Sequence, residues 1–174
     1  MRERADETRI RAFLRELGRR SNAPARVYLT GGATAVLEGW RSSTIDIDLS
    51  FEPDDDASLR ILPELKERLD VNIELVSAGD FIPVLPGWRD RSPFVGRVGS
   101  LDVHHLDPYS QALSKVERGF EHDLNDVEAM LNAGLVERGL ALDLFRRIEP
   151  DLYRYPAIDP AAFAAKVRRA FGGP

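Results

Sequence analysis

The segment Thr44-Ile-Asp-Ile-Asp-Leu-Ser-Phe51 alternates strictly between apolar and polar side chains. A period of two belongs to a β-strand with one covered face. Ile45, Ile47, Leu49 and Phe51 are therefore assigned to a core, and Thr44, Asp46, Asp48 and Ser50 to the opposite face. Such a strand needs partners, and the flanking sequence provides them. Arg26-Val-Tyr-Leu-Thr30 is β-branched and aromatic, stops at Gly31-Gly32, and leads into a short helical stretch over residues 33–40. A helix over about residues 56–69, broken or started by Pro63, is followed by Val71-Asn-Ile-Glu-Leu-Val76, which alternates again with Asn72 and Glu74 on its polar side. The order is β-α-β-α-β.

An amphipathic helix over residues 6–20, with Ile10, Phe13, Leu14 and Leu17 at helical spacing, precedes this unit. Residues 77–93 carry Gly79, Pro83, Pro86, Gly87 and Pro93 together with Phe81, Leu85 and Trp88, the pattern of a long ordered loop whose aromatic residues are buried. Residues 94–98 and 101–106 flank Gly99-Ser100 as a hairpin. Asp107-Pro108 and Asp159-Pro160 each supply an N-cap and a first helical residue. The first opens a helix to about Gly119, and further helices are expected over residues 123–131 and 161–171. The fold class is α/β (α+β), a mixed sheet with a β-α-β-α-β core in residues 1–106, followed by a helical part, residues 107–174, packed on it.

Composition narrows the chemistry. The 174 residues include no cysteine, which excludes disulfides, a thiolate nucleophile and cysteine-bound zinc. Twenty-four Lys and Arg against 29 Asp and Glu leave a net charge of −5, which argues against coating nucleic acid by bulk positive charge. There is no apolar run of the roughly 18 residues a membrane span needs, and the opening Met-Arg-Glu-Arg-Ala-Asp-Glu lacks the apolar core of a signal peptide, so a cytoplasmic protein is expected. His104 and His105 point to opposite faces of a strand, and His122 stands apart. Motifs for zinc hydrolysis, serine hydrolysis and P-loop binding are all missing. Trp40 and Trp88 read as core or loop anchors.

Carboxylates remain. Asp46 and Asp48 lie two apart on one strand, with side-chain roots roughly 6.5–7 Å apart, so both can reach one divalent ion or bracket two. Like charges this close repel unless a cation sits between them. Mg²⁺, hard and oxygen-liganded, suits the pair and leaves places for phosphates. The glycine turn lets backbone approach a phosphate at the start of the next helix. A solvated sheet face is the plainer reading of Asp46 and Asp48 taken alone. Asp54, Asp55 and Asp56 read as solvated charge or a helix cap.

Leu29-Thr-Gly-Gly32 followed by Thr44-Ile-Asp-Ile-Asp-Leu49 resembles the nucleotidyltransferase fold of the DNA polymerase beta superfamily. Within it the chain looks most like the bacterial minimal nucleotidyltransferases related to AbiEii-type toxins of toxin–antitoxin systems. Lys115-Val-Glu-Arg118 with Asp123-Leu-Asn-Asp-Val127 resembles that group's downstream Lys and Asp motifs, and the likeness spans about residues 26–131.

The resemblance implies Mg²⁺- or Mn²⁺-dependent transfer of a nucleotidyl group from an NTP such as ATP to an acceptor hydroxyl on tRNA, a protein or a small molecule. An antitoxin is an implied partner. Asp46, Asp48 and Glu74 would be the metal-binding and catalytic acids, with Asp102 the rival for the third. Gly31 and Gly32 would cradle the triphosphate, Thr30 and Thr34 would add hydroxyl contacts, and Lys115 and Arg118 would meet phosphates. Asp123 and Asp126 are secondary candidates, Asp123 being equally suited to cap the helix expected to begin there. A tRNA acceptor would call on Arg89, Arg91 and Arg97, and on Lys166, Arg168 and Arg169. The alternative is a catalytically inactive nucleotide-binding or regulatory module of the same fold.

Overall fold

The computed structural model describes residues 2–54 and 56–173. The chain forms two compact units, Met1–Ser77 with Pro93–His105, and Ala78–Ser92 with Leu106–Pro174. The fold is mixed α/β with helices at the C-terminus, as the sequence pattern implies.

In the first unit, β1 (Ala25–Thr30), β2 (Asp46–Glu52), β3 (Asn72–Leu75), β4 (Phe94–Val98) and β5 (Leu101–His105) form one sheet in the order β3-β2-β1-β5-β4. β1 runs antiparallel to β2, whereas β2–β3 and β1–β5 are parallel; β4 and β5 are the expected hairpin around Gly99-Ser100. The β2–β3 pair is joined by α3 (Asp56–Leu69), the kind of crossover a parallel neighbour requires, whereas β5 comes beside β1 by way of the β4–β5 hairpin. One sheet face carries Val27, Leu29, Ile47, Leu49, Phe51, Ile73 and Val103, all buried. They share a core with Ile10, Phe13, Leu14 and Leu17 of α1 (Glu7–Arg20) and Leu62 and Leu65 of α3 (Asp56–Leu69). Asp6 caps α1 by accepting from the Arg9 N–H.

Two local departures bear on the site. Ile45, assigned to the core by alternation, is 58% exposed, because β2 begins only at Asp46. Residues 44–45 are instead turned by an isolated bridge between Thr44 and Ala5, which exchange backbone hydrogen bonds of 2.8 and 2.9 Å. Thr44, assigned to the polar face, is buried. The second departure is at α2, which spans Gly31–Leu37, so both glycines lie inside its first turn rather than before it.

The second unit contains α4 (Pro108–Arg118), α5 (Glu121–Asn132), α6 (Arg138–Ile148), a 3₁₀ turn at Glu149–Arg154 and α7 (Pro160–Phe171). Its core includes Val116, Leu144, Ile148, Val167 and Phe171, and an edge-on Phe145–Phe163 pair with ring centres 5.0 Å apart. The Asp107 carboxylate accepts from the Tyr109 N–H and the Ser110 hydroxyl, and Asp159 accepts from the Ala162 N–H, so both aspartates cap as expected. Asp107 also takes the Arg91 guanidinium fork at 2.7 and 3.1 Å.

Residues 78–92 are ordered around buried Ile82 and Leu85, but Phe81 is 45% exposed, contrary to the expectation that all the aromatic residues of this segment are covered. Its ring instead lies beside the Arg118 guanidinium, 5.9 Å from the ring centre. Asp55, weighed above as solvated charge or a cap, lies outside the described residues. Among the described residues no helix is long and apolar enough to cross a membrane.

Candidate active site

β2 sits between β1 and β3, and its register sets the carboxylates. Asp48 lies opposite Thr30 on β1 and opposite Glu74 on β3, while Asp46 lies opposite Asn72. Adjacent strands are about 4.8 Å apart, so Asp48 and Glu74 are neighbours across the ladder as Asp46 and Asp48 are along it. All three belong to the face away from the apolar core. Further down the same face Ser50 pairs with Tyr28 and Glu52 with Arg26, and the Tyr28 hydroxyl donates to Glu52 Oε2 at 3.0 Å.

The glycine turn is built against this row. Gly31 has φ +60°, a left-handed conformation that glycine adopts without strain. A Cβ added there would stand 2.5 Å from Asp48 Oδ2, so the absent side chain is the space the carboxylate occupies. A Cβ on Gly32 would collide with the Thr44 hydroxyl. That hydroxyl donates to the Asp46 carbonyl at 3.0 Å, which ties the second glycine to the start of the carboxylate strand.

The hydroxyls divide. Thr30 is the N-cap residue of α2, buried, with no side-chain cap bond to the helix. Thr34, expected to contact nucleotide, points into the core: its Oγ1 lies 3.2 Å from the Leu29 carbonyl and 3.0 Å from His105 Nδ1. His105 is a residue that motif reasoning passed over. The alternation Leu101, Val103, His105 puts it on the buried face, and a histidine at such a position is the signal that could have found it. Burial, and secondarily the neighbouring His104, push it down to about 4, so it is neutral at pH 7.

Two hard carboxylates beside a turn with no side chain in the way suit a hard divalent ion that takes one or two protein oxygens and fills its shell with water and phosphate. Among the described residues no group of three or more His, Asp or Glu side chains converges on a metal position. Glu74 is exposed. Asp102 lies elsewhere on the sheet, opposite Arg26, four residues along β1 from Thr30. It accepts the Arg97 fork at 2.7 and 3.1 Å, which holds its carboxyl below the usual range.

The remaining candidates form a cluster of their own in the second unit. Lys115 and Arg118, three apart on α4, face Asp123 and Asp126, three apart on α5. Lys115 Nζ is 2.7 Å from Asp126 Oδ2 and 3.8 Å from Asp123 Oδ1. Arg118 forks onto Asp123 at 2.7 and 3.3 Å. Lys115 is only 4% exposed, so its ammonium is committed to these partners. Burial works against the Asp123 charge, but the Arg118 hydrogen bond, followed by the charges of Arg118 and Lys115, outweighs it and holds the carboxyl below the ordinary range. Asp123 does not cap: α5 starts at Glu121 with Phe120 as N-cap residue, because the helix begins two residues earlier than the acidic signal suggests.

A family model described as a nucleotidyltransferase of unknown function (DUF6036) matches residues 8–151. The chain belongs to this family. The matched span runs from α1 into the 3₁₀ turn and so takes in the glycine turn, the carboxylate row and the α4–α5 cluster. The family's description assigns nucleotidyl transfer in general terms. No curated protein and no solved structure matches the chain.

Proposed function

We propose that this protein is a Mg²⁺- or Mn²⁺-dependent enzyme that transfers a nucleotidyl group from an NTP to a hydroxyl of an acceptor. The observation that carries the reading is the fit of Asp48 Oδ2 into the space left by Gly31, with Asp46 two residues earlier on the same strand. Asp46 and Asp48 hold the ion, which when bound neutralises triphosphate charge and lowers the pKa of the attacking hydroxyl. The Gly31-Gly32 backbone lets a phosphate approach without a side chain between. Glu74, across the ladder from Asp48, accepts the acceptor's proton, and pyrophosphate leaves in line with the attack. Thr30, at the end of β1, borders the same turn.

Lys115 and Arg118 are engaged with Asp126 and Asp123, so the reading draws on the first unit alone. Of the residues considered for tRNA, Arg91 pairs with Asp107, Arg97 with Asp102, and Lys166 donates to the Glu117 carbonyl at 2.5 Å, whereas Arg89, Arg168 and Arg169 are exposed. The acceptor hydroxyl is that of a tRNA, a protein or a small molecule. Membership of a toxin–antitoxin pair belongs to the same proposal.

Incubation with α-phosphate-labelled NTPs, Mg²⁺ and separate pools of tRNA, protein and small molecules tests it. Label enters one pool with the unaltered enzyme and none with Asp46→Ala. Nucleotide binding with no transfer into any pool would favour the regulatory module instead. For the toxin role, induced expression arrests growth of a bacterial host, and Asp48→Ala relieves the arrest; growth unaffected by either removes that role.

A further inference from the structure

A helix as short as α2, seven residues, does not hold its own orientation. Its direction, and with it the placement of Gly31 against Asp48, must come from tertiary contacts. Thr44 meets it at Gly32. From beneath, a single imidazole spans a full turn: His105 Nδ1 is 3.0 Å from Thr34 Oγ1, and His105 Nε2 is 3.1 Å from Glu38 Oε1, four residues on. His105 is also the register partner of Leu29, whose carbonyl lies 3.2 Å from the same Thr34 hydroxyl. The histidine thus touches the last strand residues before the glycine turn, the helix's middle and its C-cap residue.

Nothing else in the chemistry requires a histidine here. An apolar residue would fill the volume, whereas a buried imidazole needs a partner at each nitrogen. The Thr34 hydroxyl carries one proton, which goes either to the Leu29 carbonyl or to an unprotonated Nδ1; in the second arrangement the neutral ring's Nε2–H donates to Glu38. The ionisable groups around it are Glu38 on α2, which meets its Nε2, and His104, the next residue on its own strand and on the opposite face.

We propose that His105 is a positioning residue for the nucleotide site, setting the approach of the Gly31-Gly32 turn to the Asp48 carboxylate by bridging Thr34 and Glu38. The proposal rests on the nucleotidyl-transfer reading for its consequence in catalysis, but the coupling it describes exists in the protein without ligand. Groups that orient a metal or phosphate site from behind typically change affinity by 10- to 100-fold when removed.

The test uses the full chain and follows the Gly31 and Gly32 amide resonances at pH 7 in the unaltered protein, Glu38→Gln, His105→Gln and the double variant. Glu38 is partly exposed and its amide is a mild change. Glu38→Gln shifts both glycine resonances, and the shift vanishes in the His105→Gln background. Equal shifts in both backgrounds, or none in either, would overturn the proposal. Calorimetric titration with Mg·ATP then shows each single variant about tenfold weaker while unfolding stays cooperative. Unchanged affinity with reduced stability marks His105 as purely structural and also overturns it. Absence of Mg·ATP binding by the unaltered protein counts against the nucleotide reading itself, and the glycine resonances still decide the coupling.

Discussion

Gly31 and Asp48 are fitted to one another: the carboxylate oxygen fills the place where any other residue at position 31 would put its Cβ. The pair joins the end of β1 to the middle of β2, and both the positive φ and the close approach demand glycine at the first position of α2.

Gly31→Ala removes this fit twice over. The left-handed conformation costs an alanine about 1–2 kcal/mol, and the new Cβ displaces Asp48 Oδ2. Urea unfolding should show that loss or more, and calorimetric Mg·NTP binding should disappear from the variant while it is still folded.

Lys115 and Asp126 are a buried pair, and truncating Lys115 takes from two buried carboxylates, Asp126 and Asp123, the ammonium they share. Lys115→Met is expected to destabilise by about 3–5 kcal/mol. Lys115→Met combined with Asp126→Leu should recover most of that, because the buried carboxylate that loses the ammonium at 2.7 Å is then replaced by an apolar side chain. Denaturant midpoints of the two single variants and the double variant check this.

His105 makes stability depend on pH in a defined window. Its folded-state value, about 4, lies below the unfolded one near 6.5, so the unfolded chain binds the extra proton first. Its contribution is fully present above pH 6.5 and is lost as pH falls toward 4, amounting to roughly 3 kcal/mol. His105→Gln should lack this part of the pH dependence, measured as the difference in urea midpoint between variant and unaltered protein from pH 7.5 to 4.

Glu74 and Asp102 are separated by the same logic. Glu74→Gln is expected to lower turnover by about 10²-fold or more while Mg·NTP affinity stays within about twofold, since a proton acceptor acts in the transition state. Asp102→Asn releases Arg97 and should leave turnover near its original value. Steady-state rates with the identified acceptor decide between them.

Much of the site is legible because it is local. Strict alternation places Asp46, Asp48 and Glu74 on one face, and Gly-Gly after a strand announces the close approach that Gly31 makes. Asp-Pro pairs give two helix starts for the same reason: a cap and its helix are adjacent in sequence. What alternation misses is set by distant partners. Ile45 leaves the core because Thr44 bridges to Ala5, some forty residues away. Lys115 looks like a phosphate ligand until Asp126, eleven residues on and on another helix, takes its charge. Thr34 reads as a hydroxyl facing nucleotide, but His105, 71 residues later, draws it inward.

The central claim is that Asp46 and Asp48 carry metal-dependent nucleotidyl transfer, and label transfer tests it most directly. With α-phosphate-labelled NTP and Mg²⁺, the unaltered protein labels an acceptor, chelation with EDTA stops the reaction, and Asp46→Ala and Asp48→Ala abolish it while retaining their fold by circular dichroism. Equal labelling by either folded variant, or labelling that persists in EDTA, would contradict the account.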